Sequence, residues 1–563
     1  MVSTANSQVL SAAKQLFTHD DTLRGSITAY RNWWDVKYYK LAVEPNFVTQ
    51  SLKGTVTLLF TVTEATYKPV LQIDLQDSLP ITSAVFNGKP VIKYMQRFKN
   101  YALFTLPQRF FKNGMQQLAI GYAGTPKKAK NAPWDGGLVW RKDSLGNPWL
   151  ATACQGLGAS VWFPCKDHQS DEPDNGAEVT ITVPNNLKAI SNGELTAAIK
   201  KGDSATAYTW QVNSPINSYN ITMNVGNYTT INSQYNGEKG VLPLTYHVLS
   251  YNKQRALQQF EQVPTMLRCF EYWFGPYPFY ADGYQLVETP FLGMEHQSAV
   301  AYGNKYKNGY LGNDLSGTGK GLLWDFIIIH ESGHEWFGNN ITTKDIADMW
   351  VHESFTNYSE VLFTQCQQGK DAANQYAYGL RRSIANDVPI IGAYGVNHEG
   401  SGDMYMKGAN MLHTLRNSIN NDEKFRGLLR ALNATFYHQT VTGKQVEMYI
   451  SNYLEKDLEP FFQQYLYTTQ IPVLELMIDS AKLQLHHRFT NCVEGFTTRV
   501  VSTIGDKQFA FTPSNEWTIT PITLEDVPFI QPKVLEKQVY LRVNQYPWNE
   551  NLLKPSAPPM RLE

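Results

Sequence analysis

Two histidines four residues apart, His330 and His334, flank a glutamate, Glu331, inside an apolar stretch that begins at Phe326. On an α-helix positions i and i+4 share one face, so both imidazoles can point at one cation. Glu331 would sit beside that cation, where a carboxylate can hold water and act as general base in a metal-assisted hydrolysis without ligating the metal. Two histidines leave zinc under-coordinated, since a catalytic site takes a third protein ligand and keeps one position open. Apolar periodicity from about Met349 to Gln367 predicts a second helix, and it carries two acids, Glu353 and Glu360. If the first helix runs from Trp324 until Gly338 stops it, a short loop makes an antiparallel hairpin and returns Glu353 to the histidines. The expected site is one zinc ion held by His330, His334 and Glu353. A chance pattern is a poor rival: polar groups inside a run as apolar as Phe326 to Ile329 need a compensating partner, because burying an unpaired charge is costly.

Two more stretches extend the pattern, Gly293-Met294-Glu295 upstream and Tyr405-x-Lys407-Gly408 downstream. Together with the His-Glu-x-x-His segment they resemble the zinc aminopeptidases typified by aminopeptidase N and leukotriene hydrolase (gluzincin exopeptidases), from about Cys154 to Leu474 and more weakly beyond. The resemblance implies a zinc-dependent aminopeptidase that removes the N-terminal residue from peptides, with Glu331 as general base. It implies that Gly293 and Met294 lie on a strand that pairs with the peptide backbone, and that Glu295 binds the free α-ammonium. By the same match Tyr405 donates a hydrogen bond to the developing oxyanion. Gln155, in Thr152-Ala153-Cys154-Gln155, is the counterpart of a residue that helps hold the substrate's N-terminus. The chain departs from the family's Gly-x-Met-Glu-Asn at Leu292 and His296, and Ala153 stands where a Gln is common, so the side-chain preference of relatives does not carry over.

At 563 residues the chain needs two to four cores. Its net charge of −1 favours neither nucleic acid nor an anionic membrane as partner, and no stretch is long and apolar enough to span a bilayer. The five cysteines are scattered without a Cys-x-x-Cys pair, so a zinc knuckle and a disulfide framework are excluded, while a single bridge stays open. Abundant Tyr, Asn, Thr and Gln point towards an exported enzyme, with a cytoplasmic one as the alternative. A monomer is the expected state.

These residues need a multidomain α+β frame. Alternating segments from Trp33 to about Thr230, such as Glu178 to Val183 and Tyr219 to Val225, with turns at Asn87-Gly88 and Asn192-Gly193, predict an N-terminal β domain over 1–232, saddle-shaped by the resemblance. Helical runs at Asn252 to Phe274, Lys407 to Asn420 and Val446 to Leu454 predict a mainly α-helical catalytic domain over 233–468, thermolysin-like by the resemblance. Returning strand signals predict a small C-terminal β-sandwich over 469–563 with a coil tail marked by Pro555, Pro558 and Pro559. The large C-terminal helical domain of many relatives is not expected within this frame. A zinc endopeptidase and an epoxide hydrolase remain alternatives on the same metal site. A catalytically inactive peptide-binding relative is the alternative outside the hydrolases, and it would need neither Glu331 nor Tyr405.

Overall fold

A computed structural model describes residues 17–64 and 68–553, so the proline-marked tail lies outside the described residues. The first part is β-rich. Strands Trp34–Asn46 and Ser51–Val62 form a long antiparallel pair at the centre of an eight-stranded sheet, with Ala177–Pro184 parallel on one side and Gln116–Gly124 antiparallel on the other. Period-two alternation turns Leu41, Val43, Val56, Leu58 and Phe60 inward, where all are buried. Asn87 and Gly88 take positive φ, 48° and 80°, as a tight hairpin turn requires.

The segment expected as a strand over 219–225 is one only at its end. Ser218–Asn220 forms a 3-10 turn, and Asn224–Gly226 alone joins a sheet. Side-chain amides take the place of a neighbouring strand here: Thr222 N donates to Asn192 Oδ1 at 2.8 Å, and Asn192 Nδ2 donates to the Asn220 carbonyl at 3.0 Å.

Strand Tyr228–Gly237 runs across the boundary expected at 232/233. It pairs with Gly240–Leu249 in a five-stranded sheet that continues through Tyr284–Glu288 and Ala299–Tyr302 and ends at the edge strand Gly293–Met294. The expected helix over 252–274 divides into Lys253–Gln259 and Gln262–Phe274. A disulfide joins Cys269 to Cys366, tying the second of these helices to the Glu353 helix.

The histidine helix is Phe326–Gly333, shorter than expected, with His334 at its C-cap. Asp325 caps its start by accepting from Ile327 N at 3.0 Å and Ile328 N at 3.3 Å, a device that contributes about 1 kcal/mol at a typical N-cap. Beyond Gly333 the turns first tighten, with Glu335 N and Trp336 N reaching back three residues to the carbonyls of Ser332 and Gly333, and then widen, with Asn339 N and Asn340 N reaching back five to those of His334 and Glu335. Gly333 allows the close crossing, because a Cβ there would stand 2.5 Å from Ser359 Oγ. The glutamate helix is Trp350–Gln368. The connection is not a short loop. It contains strand Ile341–Thr343, parallel to Gln439–Val441, and a 3-10 turn Ile346–Asp348.

After helix Glu459–Leu466 the chain forms a four-stranded sheet, in the order Thr518–Pro521, Gln484–Thr490, Val473–Asp479, Arg542–Tyr546, and a two-stranded one of Val500–Ile504 with Lys507–Phe511. Helix Pro532–Gln538 has no counterpart in the sequence reading. Leu474, Leu476, Phe489 and Phe496 share one buried cluster with Phe461, Phe462 and the metal-site helices, so this small unit shares the catalytic core.

Candidate functional site

The histidine helix is buried all round, with Ile327, Ile328 and Ile329 packed in the core, which fixes the backbone that carries His330 and His334. Each imidazole is held by its Nδ1. That of His330 lies 2.7 Å from Glu360 Oε1, and that of His334 lies 3.1 Å from the Phe337 carbonyl and 3.2 Å from Thr356 Oγ1. Acceptors at Nδ1 put the proton there and leave Nε2 with its lone pair free. Both Nε2 atoms face Glu353 Oε2, at 3.7 Å from His330 and 3.4 Å from His334. That carboxylate oxygen is buried without a hydrogen-bond partner. Two imidazole nitrogens and one carboxylate oxygen, all within 4.8 Å of one another, are a donor set that suits zinc.

Electrostatics separate the acids. Burial alone would raise Glu353, but His334 and His330 hold it well below the usual carboxylate range. Burial pushes Glu331 up to about 7, with the two histidines opposing. A carboxyl poised there can take and return a proton near neutral pH. Glu360 also accepts from Asn357 Nδ2 at 2.7 Å and Tyr376 OH at 2.6 Å, so two further donors fix it against His330.

Tyr405 precedes helix Met406–Ile419 and lies over His330, with ring centroids 6.0 Å apart. Burial first, then Glu353, raises its hydroxyl well above the usual range, so it remains a donor. The glycine of Tyr-x-Lys-Gly has a packing reason. A Cβ on Gly408 would stand 1.8 Å from Ser354 Oγ, and Ser354 Oγ donates to the Met404 carbonyl at 2.7 Å, so this helix is locked onto the glutamate helix. Lys407 Nζ donates to the Thr468 carbonyl at 2.8 Å.

The opposite wall is strand Gly293–Met294, the free edge of the five-stranded sheet. An added Cβ on Gly293 would meet Glu331 Oε1 at 2.7 Å and Ile327 Cγ2 at 2.9 Å, so only glycine lets the strand lie against the histidine helix. Glu295 follows, 2% exposed, and its Oε1 accepts from Gln155 Nε2 at 2.8 Å and Tyr219 OH at 3.1 Å. Burial raises Glu295, with His334 opposing. Oxygens of Glu295 and Glu331 and a nitrogen of His334 also lie within 4.8 Å of one another. His296, at the departure from the family pattern, is fully buried with neither ring nitrogen hydrogen-bonded, and burial holds it neutral by lowering it to about 3.

All nine residues named from the sequence (Gln155, Gly293, Met294, Glu295, His330, Glu331, His334, Glu353 and Tyr405) line one cleft of about 260 Å³. Its other walls are mostly apolar, with Pro133, Trp134, Leu292, Tyr310, Leu315, Phe326 and Met406 beside the polar Asn357, and among the described residues no Lys or Arg lines it. The sequence reading left Glu360 without a partner, although its place seven residues after Glu353, two turns along one helix face, was a usable signal. Tyr219 was read as a strand residue, and nothing local marks a tyrosine that reaches Glu295 across the fold.

Residues 258–465 match the Peptidase family M1 domain, and residues 36–220 the Peptidase M1 N-terminal domain. Among relatives, the probable aminopeptidase 1 of Sulfurisphaera tokodaii is 22% identical over 66% of this chain and 47% of its own length. Leukotriene A-4 hydrolase of Xenopus laevis is 22% identical over 76% of this chain and 69% of its own length. Against most such relatives the chain spans half of their length or less. The M1 zinc metallopeptidase of Deinococcus radiodurans has the same fold: its crystal structure superposes with a TM-score of 0.63 at 22% identity, covering 78% of this chain and 95% of that one.

Proposed function

The chain belongs to the M1 peptidases, with their N-terminal and catalytic domains both present, and we propose that it is a zinc-dependent aminopeptidase releasing the N-terminal residue of peptides. The observation that carries this reading is the pairing of two sites in one cleft. A His330, His334 and Glu353 donor set faces an edge strand whose Glu295 is buried and held by Gln155 and Tyr219.

His330, His334 and Glu353 would hold zinc, which would supply Lewis acidity towards a carbonyl and lower the pKa of water. The other parts belong to the protein. Glu295 binds the α-ammonium, and with Gln155 and Tyr219 it sets how far a peptide enters, so the first peptide bond is the one presented. The edge strand offers backbone groups to the peptide as a neighbouring strand would. Glu331 accepts the proton of the attacking water and returns it to the leaving amine. Tyr405 donates to the oxygen on which negative charge develops. The apolar wall suits an uncharged side chain at the first position. On the domain scale we read a β-rich N-terminal module ending before Tyr228, a catalytic module, and a small C-terminal β-sandwich.

Metal content and hydrolysis of aminoacyl anilides test the proposal together. One zinc per chain, turnover abolished by a chelator and restored by zinc, and no turnover in His334→Ala are the expected results. Hydrolysis that survives removal of the metal would contradict it.

A further inference from the structure

The tight turn at 154–158 carries Gln155 next to the buried Cys154. It is closed by Leu157 N donating to the Gln155 carbonyl and Gly158 N to the Cys154 carbonyl, both at 2.6 Å. Two of its residues are glycines at φ +69° and +85°. Gly158 lies directly on Asp167, where a Cβ would stand 2.0 Å from Oδ2. Its outward carbonyl, that of Gly156, receives two donors from elements far apart in sequence. One is Arg24 Nη1, from the N-terminal helix His19–Gly25, and the other is Asn397 Nδ2 at 2.8 Å, from the 392–401 loop of the catalytic part.

These two elements are themselves locked together. Asn397 N donates to the Asp21 carbonyl at 2.9 Å, and a Cβ on Gly25 would stand 2.0 Å from the Val396 carbonyl carbon. Arg24 Nε also lies 3.9 Å from Asp167 Oδ2, the carboxylate that accepts from Ser160 N at 3.1 Å just beyond the turn. One arginine thus bridges the N-terminal helix, the turn and the acid beneath it.

We propose that Arg24 is a positioning residue for amine recognition: by gripping the Gly156 carbonyl it holds the turn so that Gln155 stays on Glu295. The geometry is unforgiving, because the Gln155 to Glu295 hydrogen bond is 2.8 Å long and a displacement of about 1 Å takes it out of hydrogen-bond range. The inference rests on the aminopeptidase reading for its kinetic consequence and on the fold alone for its structural one.

The test has two readouts. On a free-amine anilide, Arg24→Ala raises KM about 5-fold with kcat within about 2-fold, Arg24→Lys recovers part of the loss, and Arg24→Ala adds nothing to Gln155→Ala, since both changes remove one interaction. Effects that multiply, or a fall in kcat at constant KM, would overturn the proposal. Should Arg24→Ala not fold, Asn397→Ala removes the other donor and carries the same expectation. Independently of turnover, hydrogen exchange of amides 154–158 speeds up about 10-fold or more in Arg24→Ala. Unchanged exchange refutes the grip on the turn, whereas faster exchange in a protein that cleaves no anilide refutes only the aminopeptidase reading.

Discussion

The two walls of the cleft are built differently. The metal-site wall stands on two helices of one core, where His330, Glu331, His334 and Glu353 follow helical spacing and the two imidazoles are held by Glu360 and Thr356 on the next helix. The wall proposed to bind the amine is assembled from an edge strand, a turn of the β-rich module and a 3-10 turn, which meet at the Glu295 carboxylate. On the proposed function, chemistry that must be exact to a fraction of an ångström sits on the first, and recognition, which decides what enters, sits on the second, where loops from two modules converge.

If that division holds, changes on the helical wall alter metal binding and kcat, and changes on the sheet wall alter KM. The largest effect is expected for Glu331→Gln, which should lower kcat about 10³-fold while zinc stays bound, as read by steady-state kinetics and metal analysis. A loss of zinc instead would make Glu331 a ligand. Next comes Glu360→Gln, which removes the anionic partner of His330 Nδ1 and should weaken zinc binding about 10- to 100-fold in a chelator competition. On the other wall, Tyr219→Phe removes one donor to Glu295 and should raise KM about 5- to 10-fold with kcat little changed. A fall in kcat of the same size would erase the distinction between the walls.

The smallest effect concerns stability where Glu172 of the β-rich part meets Thr342 of the catalytic part. Glu172 is buried with Oε1 unpartnered, and burial pushes its carboxyl up to about 7, with Thr342 and Asn217 opposing and Asp171 and Asp174 adding to the rise. The folded protein therefore keeps this proton where the unfolded chain, with a carboxyl near about 4.3, has lost it. The sign follows: more protons are bound in the native state, so this group's contribution to stability falls as pH rises from about 4 to about 7. Thermal melts across that window should show a shallower slope for Glu172→Gln, and an unchanged slope would remove Glu172 from the account.

The same contrast explains what the sequence disclosed. His330, Glu331, His334 and Glu353 were legible because helical periodicity converts spacing into direction, and Glu353 comes back to the histidines although the connection is not the short loop expected. The physical reasons for Gly293 and Gly408, close contacts with Glu331 and Ser354, needed coordinates, although the motif marked both positions. Tyr219 and Arg24 were not legible, because each acts through a contact more than seventy residues away and neither belongs to a periodic pattern. The early end of the histidine helix was also hidden.

The most direct test of the account compares a free-amine anilide with its N-acetylated counterpart, on the wild-type protein and on Glu295→Ala. The account predicts that the wild type cleaves only the free amine, because acetylation removes the charge that Glu295 binds, and that Glu295→Ala loses this activity with zinc still in place. Equal cleavage of both substrates by the wild type would contradict it and make the protein an endopeptidase built on the same metal site.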